Sequence, residues 1–285
     1  MAKSKAGRRR RHLSRRWWLL GVFAAMFILL VYSYGHFIEP YRLEVTHLSL
    51  ESGKLKSGMI RIVQISDLHC DKMVRNEENL VRLVKPMNPD VIVFTGDMAN
   101  TLEAVPYCQE VLGRLNARLG KYAVRGNWDS VYWGKIELFN NTGFTELKGA
   151  TVRLVKDGNV FYITGLPYGY SDRQFDVLFS IPSDGYSILL YHNPDIVKDL
   201  KNTSVDLYLA GHTHGGQIAL PFYGAIITLS KYGKAYEAGL YQVGGVTLYV
   251  NRGIGLEGGW APRMRLFARP EIAVFDIVPA GGSSA

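Results

Sequence analysis

The chain has 285 residues, and its 33 lysines and arginines exceed its 25 acids, for a net charge of +8. Eight of those cations, Lys3, Lys5, Arg8, Arg9, Arg10, Arg11, Arg15 and Arg16, lie in residues 1–16, where there is no acid, so the rest of the chain is neutral. A domain without excess charge argues against nucleic acid as the main partner, however basic the whole chain is.

From Trp17 to Ile38 no side chain is formally charged and most are large and apolar. As a helix these 22 residues reach roughly 33 Å, enough to cross the hydrocarbon core of a bilayer. Trp17, Trp18, Tyr32 and Tyr34 flank the run as an aromatic belt does. The sequence therefore predicts a basic cytoplasmic tail over 1–16 and a transmembrane anchor over 17–38. The positive-inside rule then places the remainder on the extracytoplasmic face. Ser14-Arg15-Arg16-Trp17-Trp18-Leu19-Leu20 fits a twin-arginine export signal, and it fits an ordinary signal anchor with adjacent arginines equally well. No small-residue cleavage site follows the apolar core, so the span is expected to be retained.

Residues 39–58 read as a linker containing an edge strand, from the alternation Tyr41-Arg42-Leu43-Glu44-Val45. Residues 59–279 suit one large α/β domain. Buried strands are predicted over Met59–Ile65, Val91–Phe94, Tyr122–Val124, Ile188–Leu190 and Val205–Leu209, from short β-branched apolar runs. Helices are predicted over Val74–Met87, with Asn76 near its start, and over Glu103–Ala117, Val131–Asn140 and Asp195–Leu200. Thr151–Lys156 and Val160–Thr164, joined through Asp157-Gly158-Asn159, read as a hairpin. Alternating units early and strand-rich units late imply two packed mixed sheets with helices outside. Ala2–Arg11 and Ala280–Ala285 are expected to be disordered. The two cysteines, Cys70 and Cys108, imply no disulfide framework and read as two small buried thiols.

Each buried strand runs directly into polar residues suited to binding metal. These are Asp67 and His69 in Ser-Asp-Leu-His, Asp97 in Thr-Gly-Asp, Asn127 in Gly-Asn-Trp-Asp, His192 in Tyr-His-Asn-Pro, and His212 and His214 in Gly-His-Thr-His-Gly-Gly-Gln. Open sheets place ligands at strand ends, so the clusters should meet in space. Carboxylate, carboxamide and imidazole donors without thiolates suit two divalent ions, manganese first with iron or zinc as alternatives, and not a closed structural zinc site. A carboxylate can bridge two ions, which makes Asp97 the natural shared ligand. Such a pair clamps a phosphorus centre and activates water at neutral pH.

This ordered set resembles the calcineurin-like metallophosphoesterase superfamily, whose motifs read D-x-H, G-D, G-N-H-D/E, a lone H and G-H-x-H. The resemblance runs from about Met59 to Val278. It implies the superfamily's four-layer fold, two mixed sheets flanked by helices. It also implies that Asp67, His69 and His214 hold one metal, that Asn127, His192 and His212 hold the other, and that Asp97 bridges them. Within the superfamily the chain is similar to the membrane-anchored group of bacterial YkuE and YaeI phosphoesterases. The residues behind that likeness are the Gly-His-Thr-His-Gly-Gly-Gln string and the C-terminal stretch Asn251-Arg252-Gly253-Ile254-Gly255, Pro262, Arg263 and Pro270-Glu271.

One motif departs from the pattern. Trp128 stands where most members carry a histidine held to protonate the leaving oxygen or to stabilise charge on phosphorus, and an indole offers only a weak N–H donor. Asp97, Asn127, His192 and Trp128 are the positions expected to act in the chemistry. If no other group replaces the histidine, an anhydride or activated ester is favoured, because a phosphate leaves unprotonated more readily than an alkoxide. UDP-2,3-diacylglucosamine, the substrate of a related lipid-A-pathway hydrolase, is one such compound. The other reading is that Trp128 fills space and an arginine does the work. Asp129 would then help set the turn.

Arg252, Arg263 and Arg265 are candidates for bidentate phosphate contacts, with plain surface arginines as the alternative. Pro221–Tyr241, aromatic and aliphatic with Lys231 and Lys234 interspersed, either dips into the membrane interface to admit an acyl chain or is a simple excursion of the core. The expected partners are thus the bilayer and a phosphorylated, lipid-linked substrate. UDP-linked lipids are made on the cytoplasmic face, which conflicts with an exported domain. An exported general phosphomonoesterase or phosphodiesterase, and a non-catalytic metal-binding envelope protein, are the alternatives kept open.

Overall fold

Hydrophobic residues alternate along the strands in a way that dictates two buried faces. In Ile60–Ile65, Val63 and Ile65 point to one core while Ile60 and Ile62 point to another, and in Val91–Phe94 the pairs Ile92/Phe94 and Val91/Val93 separate likewise. A computed structural model describes residues 3–258 and 262–281, without the side chains of 3–15. In chain order its strands are β1 (Glu44–Ser52), β2 (Ile60–Ile65), β3 (Val91–Phe94), β4 (Gly120–Ala123), β5 (Phe144–Glu146), β6 (Ala150–Lys156) and β7 (Asn159–Gly165). There follow β8 (Tyr186–Leu190), β9 (Leu207–Ala210), β10 (Ala219–Leu220), β11 (Gly224–Ala225), β12 (Gly239–Val243), β13 (Val246–Val250) and β14 (Glu271–Pro279). The α-helices are α1 (Lys3–Phe37), α2 (Glu77–Val84), α3 (Val105–Gly113), α4 (Asn127–Tyr132) and α5 (Asp172–Phe175).

Two six-stranded mixed sheets result, in the orders β1-β14-β2-β3-β4-β5 and β12-β13-β9-β8-β7-β6, with a small β10-β11 hairpin apart. Ile60, Ile62, Val91 and Val93 from the first sheet meet Ile188, Leu190, Leu207 and Leu209 from the second in a shared core. Helices α2 and α3 cover the outer face of the first sheet through Leu80, Val84, Val111 and Leu112. Short 3-10 segments carrying Leu178, Ile196, Val197 and Leu200 cover the outer face of the second. This is the expected layered architecture. Strands β2, β3 and β4 run parallel, as do β8 and β9, so their C-terminal ends gather on one side.

Helix α1 extends from the N-terminal tail through the apolar segment, and residues 16–41 are long and apolar enough to cross a membrane while burying little against the domain. Its C-terminal end docks firmly. The backbone N–H of Arg265 donates to Gly35 O at 2.9 Å, the Ala268 N–H to the buried Glu39 carboxylate at 2.7 Å, and the Asn76 amide to Pro40 O at 2.6 Å.

Several expectations are corrected. The backbone of Lys3–Arg11 is helical, because arginine and lysine are good helix formers and nothing interrupts their continuity with the apolar helix. Ala2 and residues 282–285, also expected to be disordered, lie outside the described residues. The helix expected over Val131–Asn140 instead starts at Asn127 and stops at Tyr132. Arg125 explains the stop, since its guanidinium takes the carbonyls of Trp133 at 3.0 Å and Ile136 at 2.7 Å, which helix continuation would have used. Asp195–Leu200 forms a 3-10 helix, Pro194–Leu200. The edge strand begins at Glu44, after a 3-10 turn at Glu39–Tyr41, and runs parallel to β14. Cys70 and Cys108 are buried as expected but bonded to each other, because the fold brings their Cα atoms to 6.2 Å across 38 residues of sequence.

Candidate metal centre

The polar residues that follow the strand ends converge. Asp67 and His69 come after β2, Asp97 after β3, Asn127 at the start of α4, His192 after β8, and His212 and His214 after β9. Asp67, His69, Asp97, His212 and His214 all have positive φ, between 41° and 72°. Non-glycine residues rarely adopt that conformation, and each one held there costs on the order of 1–3 kcal/mol, so the surrounding fold must impose the sharp turns that aim these side chains inward. Gly96, at φ +103°, allows the closest approach. A Cβ there would lie 2.5 Å from Gly126 N and 2.7 Å from His192 Nδ1.

Two groups of donor atoms form, with Asp97 between them. In one, His214 Nε2 lies 3.2 Å from Asp67 Oδ1, and the His69 and His214 rings stand 5.0 Å apart. In the other, Asn127 Oδ1 lies 3.0 Å from both His192 Nε2 and His212 Nδ1. Asp97 Oδ2 reaches both groups, at 3.2 Å from His192 Nε2 and 3.7 Å from His69 Nε2. Asp67, His69 and His214 form one set with ligand atoms mutually within 4.8 Å, and Asp67, Asp97 and His192 form another.

Polar neighbours fix the rings. His192 Nδ1 donates to Thr95 O at 2.7 Å, and His69 Nδ1 donates to Asn100 Oδ1 at 2.8 Å, which directs each Nε2 inward. The Nε2 atoms of His69 and His214 are buried and have no hydrogen-bond partner among the described residues. Buried imidazole nitrogens without partners, facing two carboxylates, suit divalent cations. Asp129, buried beneath the site, accepts from the N–H groups of Asp97 at 2.7 Å, Met98 at 2.8 Å and Gly126 at 3.1 Å, and so ties the Asp97 loop to the Asn127 loop.

The electrostatics agree with a cation site. Burial alone would raise the Asp67 carboxyl, but His214 and His192 outweigh it and hold that group far below the usual carboxylate range. Asp97 is likewise lowered against burial, chiefly by His192. His192, which burial would lower, is pushed up to about 10 by Asp97 and Asp67. Burial and the neighbouring imidazoles His214 and His192 lower His69 and His212 respectively. Burial, then the charge of Asp97, raises Asp129 to about 6.

Trp128, half-buried, packs edge-on against the His69 ring at 5.6 Å, and its Nε1 donates to Glu257 Oε1 at 2.8 Å. Its backbone N–H donates to Asp97 Oδ1 at 2.9 Å. Glu257 and Asn100 are site residues that sequence reasoning missed. Asn100 holds His69 and also donates to Leu256 O at 3.0 Å, while Glu257 Oε2 lies 3.9 Å from His214 Nε2. Neither sits in a pattern that would mark it.

The three arginines considered for phosphate contacts differ in their surroundings. Arg265 is fully buried, and its guanidinium donates to the carbonyls of Gly255, Ala268, Arg252 and Gly253 rather than facing solvent. Arg252 is held by Glu44 and by Glu271 at the sheet edge. Arg263 pairs with Asp71, which Asn100 approaches at 3.4 Å, and it remains partly exposed beside the pocket-lining Pro262. A cavity of about 170 Å3 opens over the site, lined by His212, His214 and Glu257 below and by Ile226, Ile227 and Leu229 above.

Residues 60–216 match the calcineurin-like phosphoesterase family. The chain belongs to that family. It is 36% identical over 283 residues to the uncharacterized metallophosphoesterase YkuE of Bacillus subtilis, covering 93% of this chain and 98% of that one. It is 28% identical to the UDP-2,3-diacylglucosamine pyrophosphatase LpxG of Chlamydia muridarum, covering 86% and 92%. It is 27% identical to the phosphodiesterase YaeI of Escherichia coli, covering 93% and 100%. As a calcineurin-like phosphoesterase, the chain is a metal-dependent hydrolase, and its Asp and His clusters are placed to hold divalent ions.

Proposed function

We propose that this calcineurin-like phosphoesterase is a membrane-anchored, two-metal enzyme that cleaves a phosphoanhydride or phosphoester carried by a lipid. The observation that carries this reading is the meeting of seven donor side chains from five strand ends, with Asp97 at their centre. In this assignment Asp67, His69 and His214 would hold one ion, Asn127, His192 and His212 would hold the second, and Asp97 would be shared between them. Manganese is the ion proposed first. When bound, two such ions supply charge stabilisation at the phosphoryl oxygens and activate the attacking water.

The chain's own residues then set which bond breaks. Thr95 and Asn100 lock the His192 and His69 rings, and Asp129 braces both loops, so the donors are held in place before substrate arrives. The Trp128 N–H is spent on Glu257 and gives no proton to a leaving oxygen. A leaving phosphate needs no proton, which favours an anhydride such as UDP-2,3-diacylglucosamine, the compound named for the LpxG relative. Of the three arginines, Arg263, partly exposed next to the cavity-lining Pro262, is assigned to the substrate.

A second reading follows from the Cys70–Cys108 bond. Disulfides persist in oxidising compartments, and with the basic tail inside, this favours an extracytoplasmic domain acting on envelope phosphoesters rather than on a nucleotide-linked lipid. A panel of anhydrides, aryl esters and alkyl esters, run on the full chain loaded with manganese, tests the proposal. Hydrolysis of none of them by fully metallated protein overturns it.

A further inference from the structure

The segment immediately after the metal-binding histidines is apolar and outward-facing. Phe222 is fully exposed, Tyr223 is 59% exposed and Leu229 is 64% exposed, and Ile226 and Ile227 are about half exposed. A monomeric soluble surface seldom gathers so many large apolar side chains in one short segment. Phe222 and Leu229 also hold positive φ, at 64° and 54°, so the turn displays these residues at a conformational cost.

Backbone hydrogen bonds connect this segment to the end of the spanning helix. Arg265 N–H donates to Gly35 O at 2.9 Å, and the next residue, Leu266, bonds on both sides of Ile218, accepting from Ala219 N–H at 2.8 Å and donating to Gln217 O at 2.8 Å. The apolar hairpin is therefore one short segment away from the C-terminal end of α1, where Phe37 and Ile38 are also exposed. Phe267, which follows Leu266 and precedes Ala268 in this connecting segment, is 59% exposed. Lys231 and Lys234 follow the hairpin and are exposed, with the Lys234 ammonium 3.4 Å from the centre of the Tyr223 ring. Aromatic and aliphatic side chains flanked by lysines match the polarity gradient of a lipid interface with anionic headgroups.

The cavity supports the same orientation. At about 170 Å3 it is smaller than the roughly 300–1,000 Å3 of sites that enclose a drug-sized ligand, so it cannot take in a lipid whole. It admits a phosphate with its immediate substituents, while its apolar rim, Ile226, Ile227 and Leu229, follows directly from the β10-β11 hairpin.

We propose that the β10-β11 hairpin and the apolar residues that follow it, 219–229, seat in the membrane interface of the leaflet where α1 ends, so that the metal centre takes its phosphate group from a lipid lying in that leaflet. The seating stands on the geometry of helix and hairpin alone, and the lipid substrate rests on the phosphoesterase reading above.

The test uses the full chain in vesicles of phosphatidylcholine and phosphatidylglycerol, with an environment-sensitive fluorophore on Phe222→Cys, on Tyr223→Cys, or on Val155→Cys in β6. Val155 is exposed near the turn into β7, at the opposite end of the strands from the metal centre. Labels at 222 and 223 are expected to be quenched by lipids carrying a nitroxide high on the acyl chain and shielded from aqueous iodide, with the reverse at 155. Iodide reaching 222 and 223 as readily as 155 overturns the seating, whatever the enzyme hydrolyses. In a second arm, Phe222→Ser combined with Tyr223→Ser should lower turnover of a vesicle-held phospholipid roughly tenfold and leave a soluble aryl phosphodiester unaffected. Equal turnover of the vesicle-held lipid by variant and parent overturns the role of the hairpin in substrate access. Absence of hydrolysis on both substrates by the parent enzyme overturns the phosphoesterase reading and leaves the depth result standing.

Discussion

The indole Nε1 of Trp128 donates to Glu257 Oε1 at 2.8 Å, and this bond occupies the one polar atom of the Trp128 side chain at the position where most family members carry a histidine. Glu257 thereby joins the C-terminal loop to the Asn127 loop, next to His214.

Activity should in consequence fall steeply as leaving-group pKa rises, with anhydrides and aryl esters cleaved well and simple alkyl esters poorly. Trp128→His should raise alkyl-ester turnover preferentially, by something like the 10²–10⁴-fold of a positioned general acid, less the loss of indole packing against His69. Initial rates across an ester series measure this. A flat dependence in the parent enzyme, with the chemical step shown to be rate-limiting, would mean that another donor protonates the leaving oxygen.

Asp97 touches both donor groups, so Asp97→Asn should abolish hydrolysis and sharply reduce the metal retained. His214→Ala removes a donor from the Asp67 group alone and should deplete mainly one ion. Elemental analysis after gel filtration separates the two cases. Two ions retained with normal turnover in Asp97→Asn would remove that residue from the bridging position.

The sequence reveals the strands and the donor residues for the same reason. Buried parallel strands such as β3 are short unbroken apolar runs, and open α/β sheets place their polar chemistry directly after such runs, as Asp97 follows Phe94. Residues that act through tertiary contacts leave no local trace. Nothing around Asn100 or Glu257 repeats or alternates, and only the folded chain brings them to His69 and Trp128. Arg265 looks in sequence like any surface arginine near a C-terminal motif, yet the backbone carbonyls of Arg252, Gly253 and Gly255 converge to bury it. The end of α4 was hidden likewise, because Arg125 stops the helix from outside it. Cys70 and Cys108, 38 residues apart, follow no spacing rule and meet only because α3 packs beside the His69 loop.

Arg265→Leu should destabilise the fold by about 3–5 kcal/mol, since it leaves several buried carbonyls without a donor. The loss should reach the metal centre, because Gly255 N–H donates to Asp67 O at 2.7 Å and Ile254 N–H to Ser66 O at 3.1 Å. Urea unfolding followed by circular dichroism gives the stability, and steady-state kinetics the consequence. Unchanged stability together with a raised KM would return Arg265 to the role of a substrate contact.

The Cys70–Cys108 bond closes a loop that holds the His69 turn against α3, so Cys108→Ser should lower stability by about 2–4 kcal/mol. The effect should vanish when the parent is measured under reducing conditions, where the two proteins become equivalent. Alkylation of the unfolded, unreduced full chain should leave both cysteines unmodified by mass spectrometry. The same bond bears on topology. If the domain lies outside the cytoplasm, protease added to intact spheroplasts of an expressing bacterium should digest it while cytoplasmic markers survive, and protein recovered with free thiols blocked at lysis should retain the disulfide. Full protection from protease, with digestion only after lysis and both thiols trapped free, would put the domain in the cytoplasm. In that case a UDP-linked lipid and this metal centre would share a compartment, and the envelope-phosphoester reading would be lost.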